Sequence, residues 1–331
     1  MFTFAAIAAL VFTSCETPPP VENKDKIITG LITEDTYWYA DTAYEMAGKV
    51  VVEEGVTLFI EAGTVVKARD GQGSLSTALI IAQGGKIQAT GTTEAPIVFT
   101  SIYDNGTNLD ETDMGLWGGI VVLGYAPISA DAATALIEGL PANEPFAVYG
   151  GNNIHDNSGV LEYVSIRHAG TLLGDGNELN GLTLGGVGSA TVINNIEVAG
   201  NLDDGIEFFG GTVNASNLLV WAQGDDAFDI DQAYAGTISN FVNVEGSESD
   251  HALEIDGPEG SYTDTFVMKN GILISTDGVE VHIRDGAEGT VSFKGAANIV
   301  ADSGTAVTVT ILDEIVMPDF TWTFTSAQGA L

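Results

Sequence analysis

Three stretches in the second half of the chain carry residue types that do acid–base or metal chemistry. They are DDGIEFFGG from Asp203, GDDAFDID from Gly224 and SDHALEID from Ser249. Asp204, Asp226, His251 and Asp277 each stand two residues before the first apolar residue of a run, at Ile206, Phe228, Leu253 and Val279. Asp203, Asp225 and Asp250 precede them by one position, and Glu207, Asp229, Glu254 and Glu280 follow the apolar residues. If these runs stack, the acids form vertical columns, and a column of like charge is costly unless solvent, hydrogen bonds or cations screen it. In the plain structural reading, turn aspartates accept hydrogen bonds from nearby backbone N–H groups. In the cation reading, Asp203, Asp225 and Asp250 supply oxygens to Ca²⁺, although no EF-hand or nonapeptide Ca²⁺ spacing is present. The remaining reading is acid–base catalysis.

Each reading needs elements that bring these residues together. Successive apolar runs begin at Leu182, Ile206, Phe228, Leu253 and Val279, at intervals of 24, 22, 25 and 26 residues. Within each interval a second run follows: ATVINNIEV, ASNLLVWA, TISNFVNV, TFVMKNGILI and TVSFKGAANIV. These alternate apolar and polar residues with the period of two that marks a half-buried strand. The repeat length predicts one rung of a parallel β-helix, whose strands pair with their counterparts above and below at about 4.8 Å. One rung cannot bury its inward residues alone, so several must stack. The LxxLxL spacing of leucine-rich repeats is missing, and propeller blades are longer.

The first half fits the same solenoid, with strands in GKVVVEEGVTLFIEAGTVVKA, ALIIAQGGKIQATGTTEAPIVFTS and WGGIVVLGYAPIS. The spacing fails at IYDNGTNLDETDMG and ADAATALIEGLPANEP, which are expected to leave the solenoid as loops. Helical periodicity is confined to the N-terminus and residues 130–138. The C-terminal FTWTFTSAQGAL is expected to end the stack as its last strand and cap.

The 331 residues include 46 Asp and Glu against 10 Lys and Arg, a net charge of −36. Nucleic acid is excluded as a partner, because phosphate binding needs cationic surface. The one cysteine, Cys15, rules out a disulfide framework and cysteine-based zinc sites. MFTFAAIAALVFTSC is too short to span a membrane and resembles a bacterial lipoprotein signal peptide, which makes Cys15 the lipidated residue. ETPPPVENKDK then reads as a polar tether. The expected organisation is a signal segment over 1–15, a tether over 16–27 and a β-helix over 28–331. The expected location is extracytoplasmic, with a lipid anchor in the outer membrane.

The stretches GVTLFIEAGTVVKA, WGGIVVLG and YGGNNIHDNSGVLEYVSIRHAG resemble secreted right-handed parallel β-helix lipoproteins of Bacteroidetes and related bacteria. That resemblance implies an all-β solenoid at the cell surface and no particular reaction. The expected role is therefore a non-catalytic binding or scaffold protein for a glycan or a protein partner, with Ca²⁺ as a candidate ion. The alternative comes from NLDDGIE, GDDAFDI, SDHALEI and VHIRDG, which are similar in order and spacing to active-site rungs of polygalacturonase-type glycoside hydrolases. That resemblance implies Asp204, Asp225, Asp226 and His251 as catalytic residues and His282 and Arg284 as substrate-binding ones. Inverting hydrolysis needs an acid and a base carboxyl flanking the glycosidic bond. The chain departs from that pattern: no glycine flanks His251, and the family's Arg-Ile-Lys is altered. The histidines His155, His168, His251 and His282 show no HExxH-type spacing. YWYADTAY, near Tyr37, reads as a cover for the first rung or as a platform for sugar rings.

Overall fold

The computed structural model describes residues 25–318, except 72, 141–143, 175, 176 and 277. Cys15, most of the tether, Asp277 and FTWTFTSAQGAL lie outside the described residues. Among the described residues, twenty-two strands form one continuous sheet system, the parallel β-helix expected from the repeat. A typical rung enters as a short strand, Ile206–Phe209, turns, and returns as a long one, Asn214–Gln223. The next rung repeats this with Phe228–Asp231 and Thr237–Val244. Among the described residues the first strand of the stack is Lys26–Ile32.

Each long strand bends once, which splits it between two ladders and gives the rung three faces. The bend falls on Tyr163, Asn195, Asn217, Asn240 and Asn270, whose φ values are 50, 53, 58, 57 and 62°. Asparagine is among the few non-glycine residues that adopt this left-handed conformation routinely. The stacked amides also bond to one another: Asn240 Nδ2 donates to Asn217 Oδ1 at 2.9 Å, and Asn270 Nδ2 donates to Asn240 Oδ1.

Inward residues stack by type along the axis. Leu182, Ile206, Phe228 and Leu253 lie in direct register on successive rungs. All four are fully buried, and the Phe228 ring meets Phe241 edge-on at 5.5 Å. Above Leu253 the column continues with Val281, not with Val279 as expected from the sequence. The rung is longer by two residues, and Val279 and Val281 both point inward, so periodicity alone does not separate them.

Both irregular segments leave the solenoid and fold back onto it. Residues 130–138 form no helix; Ala135–Leu136 pairs antiparallel with Val148–Tyr149. Ile128, Ile137, Leu140 and Tyr149 pack onto Ile80, Val121, Leu123 and Phe209 on the outer side of the short-strand ladder. The earlier loop is pinned by Trp117, whose Nε1 donates to the Arg167 carbonyl at 2.7 Å, and by His168, whose Nδ1 contacts the Asp113 carbonyl at 2.7 Å. At the N-terminal end Trp38 and Tyr44 enter the core, while Tyr37 stays half exposed and stacks on Phe59 at 4.5 Å.

Candidate functional site

The acidic stretches do stack. The register of Ile206, Phe228 and Leu253 sets Asp204, Asp226 and His251 at one corner of three successive rungs. The two aspartate side chains act vertically: the Asp226 backbone N–H donates to Asp204 Oδ1 at 2.9 Å. The His251 backbone N–H donates to Asp226 Oδ1 at 3.0 Å, and the His251 ring Nδ1 meets the same oxygen at 2.7 Å. Each aspartate thus caps the turn of the rung above, as in the structural reading. Asp204 and Asp226 are buried, whereas Asp225 and Asp250 are exposed and Asp203 is half-buried.

A second acidic row lies on the outer side of the short strands. Glu207, Asp229 and Glu254 are in register, and the next residue of that row is His282 instead of the expected Glu280. Sequence alternation marks these as outward positions, yet Glu207 and Asp229 are buried. The loop that covers this ladder brings Glu138 to the same region, and Asn180 Nδ2 donates to Glu207. Burial pushes Glu207, Asp229 and Asp204 well above the usual carboxylate range, and their neighbours' charges add to it. Burial, then Glu254 and Asp225, pushes Asp226 up to about 10. Asp231 rises to about 7, chiefly through burial. Glu207 and Asp229 share a hydrogen bond, as do Asp226 and Glu254, and Glu207, Asp229 and Asp226 hold their protons above the usual carboxylate range. Asn180 lies in no acidic stretch, and Asp231, although it ends GDDAFDID, does not stand out in the sequence; the rung register brings both to the cluster.

Arg284 does not stand free for an anionic substrate. Its guanidinium binds the Glu254 carboxylate, with Nε at 2.7 Å, and lies 3.2 Å from Asp256. His282 packs edge-on against His251, with ring centroids 5.2 Å apart. A groove of about 470 Å³ is lined by Asp250, Gly278, Val279, Glu280 and residues 296–298. Asp204, Asp225 and Asp226 do not line it. Carboxylate oxygens of Asp203, Asp204 and Asp225 lie within 4.8 Å of one another, and so do those of Asp204, Glu207 and Asp229.

A pectin methylesterase from Aspergillus niger shares 11% identity, with 90% of this chain and 88% of that one covered at a TM-score of 0.33. No curated protein matches the chain. A family model described as the pectate-lyase-like beta helix domain matches residues 30–313, nearly the whole solenoid. The chain belongs to the pectate-lyase-like β-helix domain family.

Proposed function

We propose that this chain is a non-catalytic binding or scaffold protein, held outside the cytoplasm by a lipid on Cys15 in the outer membrane. Its rigid solenoid faces would hold an extended glycan or a surface protein. The observation that carries this reading is the use made of Asp204 and Asp226. An inverting hydrolase needs its acid and base open to a substrate groove, with room for water between them. Here each of the two carboxylates is buried and binds the backbone of the next rung. The turn residues Asp203, Asp225 and Asp250 are the Ca²⁺ candidates within the same proposal.

A ligand for this surface is neutral or cationic, because a chain of charge −36 repels polyanions. The test is retention of the purified chain on immobilised glycans of each charge class. Binding to neutral or amino-sugar polymers with none to polyuronates is the expected result. Retention on polyuronates alone would overturn the ligand class, and cleavage of any retained polymer would overturn the non-catalytic role.

A further inference from the structure

We propose that His251, Glu280 and His282 form a binding site for a divalent transition cation, with Zn²⁺ as the reference ion. The site goes beyond the binding role proposed above: His251, Glu280 and His282 are not among the Ca²⁺ candidates, and only Asp250 borders both. Two of the four histidines in the sequence meet here on adjacent rungs, and Glu280 comes with them. One ligand atom from each of the three lies within 4.8 Å of the others.

The two-residue shift in register builds the site. With Val281 above Leu253, His282 stands over Glu254, and the Ala252 N–H donates to the Glu280 carbonyl at 2.9 Å. Glu280 and His282 alternate with the inward Val279, Val281 and Ile283, so both face outward beside His251.

The tautomer of His251 is set from below. Asp226 Oδ1 accepts from the His251 backbone N–H and lies 2.7 Å from Nδ1; in the metal-binding form Nδ1–H donates to that oxygen. Nε2 is left with its lone pair. A buried carboxylate that holds the far nitrogen of a histidine is the usual outer-shell partner of a metal-binding imidazole. Asp226 is buried, as that role requires.

Nε2 faces oxygen ligands at suitable range. It lies 3.5 Å from Glu280 Oε1 and 3.8 Å from Asp250 Oδ1. Neighbouring ligand atoms on a tetrahedral zinc are about 3.3 Å apart, given bonds of about 2.0–2.1 Å. Two imidazoles and a carboxylate favour Zn²⁺, Co²⁺, Ni²⁺ or Cu²⁺ over Ca²⁺ and Mg²⁺, which take oxygen alone. Glu280 and Asp250 also line the 470 Å³ groove, so a fourth position is open to water or to a ligand there. His251 and His282 are half-buried, with side chains 13% and 22% exposed, which leaves the site reachable by an ion from solution.

The test is calorimetric titration of the chelator-stripped full chain with ZnCl₂, paired with the visible absorption of the Co²⁺-loaded protein. One ion per chain and a tetrahedral Co²⁺ spectrum are expected. Glu280→Gln and His282→Gln should each weaken uptake about 10-fold or more, and Asp226→Asn should weaken it about 10- to 100-fold through the tautomer. His155→Gln, on a distant exposed turn, should leave it unchanged. Because Glu280 is outside the core, Glu280→Gln keeps the test valid if a histidine variant misfolds, and metal-free melting checks each variant. No uptake by the parent chain overturns the proposal, as does uptake that survives both Glu280→Gln and His282→Gln.

Discussion

In a chelating buffer the chain is expected to melt at a higher temperature at pH 5 than at pH 8. Asp231 has its folded pKa raised to about 7, and Asp204, Glu207 and Asp229 are raised as well, all chiefly by burial. The unfolded chain loses these protons near pH 4, whereas the folded chain keeps them. The folded state therefore binds more protons across the interval, and stability falls as pH rises. For Asp231 the fall runs from about pH 4 to about pH 7. Each tenfold difference in acidity is about 1.4 kcal/mol, which sets an upper scale of about 4 kcal/mol for Asp231 alone. The expected change in melting temperature is about 5–10 °C. Differential scanning calorimetry across this range checks it, and a melting temperature that rises toward pH 8 would show that the acids are ionised and paired instead of protonated. Ca²⁺ added at pH 8 should raise the melting temperature if the turn aspartates hold it.

The largest single-residue effect is expected at Phe228. Its side chain is fully buried between Ile206 and Leu253 on the neighbouring rungs and meets Phe241 at 5.5 Å and 75°. Phe228→Ala removes a ring from a column that cannot close over the gap, because each rung is fixed by backbone bonds to two others. The expected loss is about 3–5 kcal/mol. Val192 faces outward and is 43% exposed, so Val192→Ala should cost about 0.5 kcal/mol or less. Denaturant midpoints of the two variants test this, and equal losses would mean that Phe228 is not in the stacked column.

The fold was legible because it is periodic. Ile206, Phe228 and Leu253 could be aligned from their spacing, and the structure pairs them. The alignment slipped at Val279 for a physical reason. A shift of two residues along VEVHI leaves every side chain on its correct face, so alternation carries no information about which valine pairs with Leu253. The burial of Glu207 and Asp229 was not legible either, since it depends on a loop without periodicity. A signal for that loop was present: Ala78–Ile81 and Gly119–Leu123 are unbroken apolar runs, buried on both faces, where a strand with a solvated outer side would alternate. The metal-type cluster of His251, Glu280 and His282 needed the true register, which the sequence withheld.

The measurement that bears most directly on the role of the acidic ladder is reducing-end release from a panel of pectic and neutral polysaccharides between pH 4 and 8. With Asp204 and Asp226 capping backbone N–H groups, the intact chain should release nothing above the enzyme-free blank. Release by the intact chain that Asp225→Asn abolishes would contradict this account and make the turn aspartates a hydrolytic site.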